Sequence, residues 1–252
     1  MIFQGETLRK TEIHRILEIF AQHTTSEIGV EYIHQLKPAK DIPDLQRRHE
    51  RLWDMLKFRN KYSDKLPLQG LSSIAVILEE GRTCSFLTGS DLYKIGRLMI
   101  AAQKIRAIFE KRRQEFNSLW ILSRKIRDFA QEIRDFSVIN PDGTLLDSAS
   151  PLLSELRYEK NSVKVKIRSL ANSIFTETRL SNSFQDRNLH IRNGRYVLAL
   201  RLEAAPGFRG ILQDRSVTGN TVYMEHDDMI GFNNRLSELK SKERDETERI
   251  LR

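Results

Sequence analysis

The chain of 252 residues carries a formal charge of +8, with 42 lysines and arginines against 34 aspartates and glutamates, so an anionic partner is expected. A single cysteine, Cys84, excludes a disulfide scaffold and fits a reducing compartment. No apolar run approaches the ~18 residues that span a membrane. The first residues lack the basic and apolar regions of an export signal. The composition therefore predicts a cytoplasmic protein of one or two domains, with no membrane partner.

Helical periodicity dominates residues 1–115, which we interpret as a helical core. Apolar residues recur three and four positions apart in short stretches, one ending before Pro38 and another before Pro67. The pair Thr88 and Asp91 forms a capping box ahead of a longer apolar stripe. The stretch that ends before Pro67 is expected to contribute to the core through Leu45, Leu52, Trp53, Leu56 and Phe58.

A coiled-coil-like seam opens residues 116–183, the predicted lever region. Its apolar residues step by three and four from Leu119 to Phe136, over more than two heptads, which predicts a long helix. A short turn or hairpin, flanked by two extended pieces, is predicted near residues 138–147.

A second seam begins at Ser150-Pro151, an N-cap residue followed by proline at the first helical position. It continues to about Leu180, and Lys160 is the only interruption of its apolar positions. The corresponding helix would be ~45 Å long at ~1.5 Å per residue. We interpret it as the lever that leads out of the core.

Residues 184–228 form a strand-rich island within this helical sequence. Asn193-Gly194 lies between two runs of strand-forming residues and predicts a two-residue hairpin, because that turn needs positive φ at both positions. Thr218-Gly219-Asn220 predicts a second turn, which gives about four short strands. So small a module buries little core alone, and neighbouring helices must carry it.

A returning lever helix is predicted at residues 229–252. Glu243 and Glu246 occupy the middle of its seam, so this helix is expected to be more exposed to solvent than the others. The predicted fold class is therefore mainly α. A helical core would bear long antiparallel lever helices with a small antiparallel β domain at their tip.

The sequence lacks the motifs of common catalytic sites. It contains no P-loop and no glycine-rich dinucleotide fingerprint. The six histidines are scattered and Cys84 has no partner motif, so neither a zinc cluster nor a Cys–His pair is specified. The cluster Glu225-His226-Asp227-Asp228 fits the start of a helix better than a metal site. We expect no catalytic residue, metal or cofactor in this chain, and no binding of ATP.

Positive charge is concentrated between Arg157 and Arg201, where ten basic residues accompany three acidic ones. Such a patch suits a phosphate backbone, because each neutralised phosphate releases counterions. Arginines of the strand-rich island are the first candidates for backbone contacts: Arg187, Arg192, Arg195, Arg201, Arg209 and Arg215. A second set on the preceding helix comprises Lys164, Lys166 and Arg168.

Each candidate cation could instead lie on a solvated surface and balance an acid of the same region, such as Glu203, Asp214 or Glu225. For Arg195 the sequence does not separate such a structural pair from a phosphate contact. Strand alternation also sends neighbours to opposite faces, so the six arginines cannot all face one way.

An ordered set of residues runs through the second half of the chain. It comprises Asp142-Gly143, Leu145, Asp147, Ala149-Ser150-Pro151, Leu153 and Arg157, then Arg192, Gly194-Arg195-Tyr196-Val197, Gly210, Asp214, Ser216, Gly219, Thr221 and Glu225, and finally Asn233-Asn234, Glu238-Leu239, Glu243, Glu246 and Arg249-Ile250-Leu251. With this set the chain resembles the second MutS lineage of bacteria, the endonuclease MutS-two type, which lacks the mismatch-reading N-terminal domain. The resemblance extends over essentially the whole chain.

The resemblance implies that this chain is the N-terminal core, lever and clamp fragment of such a protein and is not itself an enzyme. An ATPase domain, which would use ATP and Mg²⁺, and a nuclease domain are expected elsewhere in the full-length family. A homodimer is expected for the full-length protein, and weak or no dimerisation for this chain.

Three functions remain open at this point. The first is a clamp that embraces branched or double-stranded DNA through its backbone and couples it to the ATPase. The second is the same architecture engaging ribosomal RNA in the rescue of collided ribosomes. The third is a helical scaffold that binds another protein, with an incidental charge.

Overall fold

The computed structural model describes residues 12–62, 66–83, 87–177, 180 and 182–252. Cys84 lies outside these ranges. The chain divides into two compact units, residues 1–145 and 146–252. The described residues are mainly helical, with a small antiparallel sheet in the second unit, as the sequence predicts. No helix in the described part of the chain is long and apolar enough to cross a membrane.

The first unit is built of helices within its described residues. Their bounds are α1 Ile13–Gln22, α2 Glu27–His34, α3 Ile42–Lys61, α4 Ala75–Thr83, α5 Gly89–Lys111, α6 Asn117–Ser123 and α7 Ala130–Phe136. The predicted cap of α5 is confirmed, because the Thr88 hydroxyl accepts a hydrogen bond from the Asp91 amide at 3.2 Å.

An aromatic cluster holds α3, α5 and α6 together. The Phe58 ring lies 5.3 Å from that of Phe109 and 5.6 Å from that of Phe116, both in tilted or edge-on geometry. Of the apolar residues predicted for the core on α3, only Phe58 is buried. The prediction is wrong for the other four, which are between 43% and 61% exposed: Leu45, Leu52, Trp53 and Leu56.

The long helix predicted from Leu119 to Phe136 is interrupted. Helix α6 ends at Ser123 and α7 begins at Ala130. The side chain of Gln103 on α5 occupies the break, accepting from the Phe129 amide at 3.3 Å and donating to Asp128 at 2.9 Å. A contact distant in sequence therefore holds the start of α7, at a break that the apolar periodicity does not indicate.

The turn predicted after this region is present, with a β-bridge between Ile139 and Leu145. Gly143 has φ +82°, and a Cβ built there would lie 2.5 Å from the Ser90 amide nitrogen. Glycine is therefore required both by the left-handed backbone and by the close approach of the α5 N-terminus.

The second unit consists of two long helices and the sheet between them in sequence. After a short 3₁₀ turn at Asp147–Ala149, α8 spans Pro151–Thr176 and α9 spans Asp227–Leu251. The predicted cap of α8 is confirmed, since the Ser150 hydroxyl accepts from the Leu153 amide at 2.9 Å.

Helices α8 and α9 pack antiparallel, as the order of their contacts shows. Arg235, early in α9, donates to Glu159 at 2.8 Å, while Glu246, late in α9, accepts from Ser150 at 2.7 Å. Between these contacts, Lys160 and Arg157 both pair with Glu243. The predicted exposure of the α9 seam is thus wrong at Glu246, which is 5% exposed. Arg157 and Lys160 of α8 neutralise Glu243, whereas Glu246 pairs with Arg249 of its own helix.

The four strands form one antiparallel sheet in the order β1-β2-β4-β3. Their bounds are β1 Phe184–Arg192, β2 Arg195–Arg201, β3 Gly210–Arg215 and β4 Thr221–His226, with a 3₁₀ turn at Leu202–Gly207 after β2. The predicted hairpin is confirmed, with φ of 51° at Asn193 and 77° at Gly194.

One face of the sheet joins the helices in a common core. Leu198 and Leu200 of β2 lie opposite Met224 and Val222 of β4, and all four are buried. They belong to one apolar cluster with α8 and α9, including Val163, Ile167, Ala171, Ile174, Met229, Leu236 and Leu239. The helices supply the core that so small a sheet lacks. The assignment of residues 1–115, 116–183, 184–228 and 229–252 to core, levers, clamp and returning lever stays a prediction.

Candidate nucleic-acid interface

Three candidate arginines of the sheet are exposed. Arg187 lies in β1 where the β1–β2 register shifts, Arg201 ends β2, and Arg215 ends β3. Among the residues that the structure describes, no acidic side chain forms an ion pair with any of the three. Arg201 also lines a shallow depression that includes Gln185 and Asn220. These guanidinium groups are accessible to an anionic partner.

Arg209 and Arg192 are partly engaged. Nε of Arg209 lies 3.7 Å from an Asp227 carboxylate oxygen, and the Arg209 side chain is 77% exposed, so this pair is weak. Nε of Arg192 lies 3.2 Å from an Asp214 oxygen. The guanidinium of Arg192 also stacks 3.9 Å from the ring centroid of Tyr223, which covers one of its faces.

Two of the three guanidinium nitrogens of Arg195 donate hydrogen bonds to side chains of the same unit. Nε and Nη2 donate to the two carboxylate oxygens of Glu225 at 2.6 and 2.7 Å, in a bidentate pair. Nη2 also donates to Asn234 at 2.7 Å. The hydrogen bonds with Glu225 raise the pKa of Arg195 above its ordinary value. Of the two roles that the sequence left open, this geometry is that of the structural pair.

Glu225 and Asn233 form a buried polar junction between the sheet and α9. Strand β4 pairs with β2 from Leu198 onwards and does not reach Tyr196. At Tyr196 the backbone of β2 bonds instead to the side chain of Asn233. The Tyr196 amide donates to Oδ1 of Asn233 at 2.9 Å, and Nδ2 donates to the Tyr196 carbonyl at 3.0 Å. Nδ2 also donates to Glu225 at 2.9 Å. The sequence assigned Asn233 no such role, because the contact joins residues 37 positions apart.

The second set of cations lies on α8. Lys166 and Arg168 are exposed and Lys164 is half-buried. No acidic partner pairs with them in the part of the chain described. Lys164 and Arg168 are four residues apart and share a helix face, whereas Lys166 is two residues from each and points to another side. Lys164 and Arg168 therefore present their charges on the same side of α8.

The four residues 225–228 have different structural roles. His226 caps α9, with its Nδ1 accepting from the Asp228 amide at 3.2 Å, and Asp227 and Asp228 lie in the first helical turn. The prediction that this cluster marks the start of a helix is confirmed. Within the described residues, no three His, Cys, Asp or Glu side chains are grouped so that they could hold a metal ion.

No family model matches the chain. The resemblance predicted from the sequence is nevertheless confirmed, because the chain is similar to curated proteins that are named endonuclease MutS2. The chain is 27% identical to "Endonuclease MutS2" of Bacillus velezensis over 99% of its own length and 32% of the relative's. It is 26% identical to "Putative endonuclease MutS2" of Bacillus subtilis, with the same coverage. For "Endonuclease MutS2" of Thermotoga maritima the identity is 28%, over 97% of this chain and 31% of the relative. The chain thus spans about a third of the length of the curated relatives that it matches.

Proposed function

We propose that this chain is a nucleic-acid-binding region of a MutS-like protein and that its sheet contacts the phosphate backbone of branched or double-stranded DNA. The observation that carries the proposal is the exposure of Arg187, Arg201 and Arg215 without acidic partners in the described residues. The relatives are named endonucleases, and an endonuclease acts on nucleic acid.

The arginines of the sheet would contribute unequally. Arg187, Arg201 and Arg215 would bind phosphates directly. Arg209 would join them once a phosphate displaces its weak partner, Asp227. Arg192 would contribute less, since Asp214 and Tyr223 hold its guanidinium. Such contacts position a protein on a duplex without reading its sequence.

We also propose that α9 transmits the bound state to other parts of the longer protein. Helix α9 follows β4 directly and is joined to β2 through Asn233. The relatives are about three times as long as the region matched here, which leaves room for an ATPase that binds ATP and Mg²⁺ and for a nuclease. In this proposal the chain binds and transmits, and hydrolysis, cleavage and homodimerisation belong to the longer protein.

The salt dependence of DNA binding tests the direct contacts. Replacing Arg201 and Arg215 together by alanine should lower the slope of log affinity against log salt by about 2, since each lost phosphate contact accounts for ~0.9. The matched control replaces Arg59 of α3 and Arg244 of α9, two exposed arginines that belong to no strand of the sheet, which changes the net charge equally. Fluorescence anisotropy with a four-way junction and a duplex gives both slopes. The proposal is contradicted if the salt slope falls equally in both variants, or falls in neither.

A further inference from the structure

The Glu225 carboxylate is the centre of a closed hydrogen-bond set. Its side chain is 0% exposed. Oε2 accepts from Arg195 Nε at 2.6 Å and from Gln213 Nε2 at 2.8 Å, while Oε1 accepts from Arg195 Nη2 at 2.7 Å and from Asn233 Nδ2 at 2.9 Å. Four donors thus satisfy both oxygens, which is what a buried carboxylate requires.

The donors to Glu225 come from three separate elements. Arg195 opens β2, Gln213 lies in β3, and Asn233 belongs to α9. Asn233 at the same time completes the hydrogen bonding of Tyr196 on β2. One buried carboxylate therefore fixes the strands to each other and to the helix that leaves the sheet.

A phosphate cannot take the place of Glu225 without cost. Drawing the Arg195 fork towards a ligand would leave a buried carboxylate without its only cationic partner in the set, which is strongly unfavourable. Only the Nη1 donors of Arg195 lie outside these contacts, and the side chain is 25% exposed. Arg201, at the far end of β2, is ~20 Å away at ~3.3 Å per residue.

We propose that Arg195 is a positioning residue, which together with Glu225 and Asn233 holds the phosphate-binding arginines of the sheet in a fixed orientation relative to α8 and α9. It supplies no phosphate contact of its own. This inference rests on the proposed function. Arg195 is then not among the arginines that bind phosphate, and Glu225 supports the binding of a polyanion by holding the sheet in position.

Two substitutions give opposite results for the two roles of Arg195. Arg195→Lys keeps the charge but loses the fork, and a lysine still serves a phosphate as a point charge. A positioning role predicts several-fold weaker binding of a four-way junction with an unchanged salt slope. Glu225→Gln should weaken binding in the same way, and the double variant should bind no more weakly than either single one, because both break one unit.

A direct phosphate contact by Arg195 predicts the reverse. Arg195→Lys would then bind as the wild type does, and Glu225→Gln would free the guanidinium from its carboxylate and tighten binding. Either result overturns the inference. Unchanged DNA affinity in variants that circular dichroism shows to be folded also overturns the inference. The contacts of Arg195 and Asn233 with Glu225 would then serve stability alone.

Failure of the inference and failure of the proposed function are distinguishable. If replacement of Arg201 and Arg215 leaves DNA binding intact, the proposed function fails, whatever Arg195 does. If a variant of Arg195 or Glu225 does not fold, the wild-type protein provides the test through the Nε–H resonances of its arginines. On adding DNA, the Arg201 resonance should shift while that of Arg195 stays in place, and a shift at Arg195 as large as that at Arg201 overturns the inference.

Discussion

At the scale of single residues, Glu246 shows how the fold changes the chemistry of a seam position. The residue is buried between α8 and α9. Hydrogen bonds from Arg249 and then from Ser150 lower its pKa to about 2. The folded state therefore stabilises the ionised carboxylate of Glu246, and protonation of that carboxylate destabilises the fold.

This lowered pKa makes stability depend on pH in the acid range. The contribution of Glu246 is fully present above its ordinary pKa of 4.5 and is lost as the pH falls from there towards 2. Glu246→Gln should flatten that part of the profile of unfolding free energy, measured by urea denaturation between pH 2 and 6. Glu248→Gln, at an exposed position of the same helix, is the control. Identical profiles for both variants would contradict the role of Glu246.

At the scale of elements, the β1–β2 hairpin depends on its turn. Gly194 has φ +77°, and a Cβ there would meet nothing within 4 Å. Gly194→Ala should therefore cost about 1–2 kcal/mol through backbone conformation alone. Gly207 is the matched control, since it is equally uncrowded and lies outside the left-handed region. Gly207→Ala should be neutral or slightly stabilising. Equal losses of urea stability in the two variants would refute the explanation.

Lys160 of α8 and Glu243 of α9 form an ion pair between the two helices, and their side chains are each 18% exposed. Lys160→Met should destabilise the protein by about 1–3 kcal/mol, because among the described residues Glu243 then keeps a single basic partner, Arg157. Adding Glu243→Leu to Lys160→Met should recover part of that loss by making the seam apolar. Urea denaturation measures both variants. A double variant less stable than Lys160→Met alone would show that the pair is not the source of the effect.

Features set by local sequence were predictable, and those set by distant contacts were not. Ser150 caps α8, and Asn193-Gly194 makes its hairpin, because each satisfies the backbone of its immediate neighbours. The start of α7 is held by Gln103, more than twenty residues away. Likewise Arg195 is separated by 30 residues from Glu225, and only the sheet register brings the two together.

At the scale of the whole molecule, the second unit combines a cationic surface with a buried polar junction. Its exposed sheet arginines are available to a polyanion, while the acids Glu225, Glu243 and Glu246 are neutralised inside by basic side chains. The sequence therefore predicts where basic residues concentrate but not which of them are left exposed without an acidic partner among the described residues. Competition between ribosomes and duplex DNA for the same arginines distinguishes the two nucleic-acid targets.

The most direct test of nucleic-acid binding by the sheet observes the arginines themselves. In Nε–H correlation spectra assigned through single Arg→Lys variants, adding a duplex should shift the resonances of Arg187, Arg201 and Arg215 saturably, and added salt should reverse the shifts. The resonances of Arg59 in α3 and Arg244 in α9, which belong to no strand of the sheet, should stay in place. DNA binding that leaves all three sheet resonances unmoved, or that shifts only arginines elsewhere, would contradict the account.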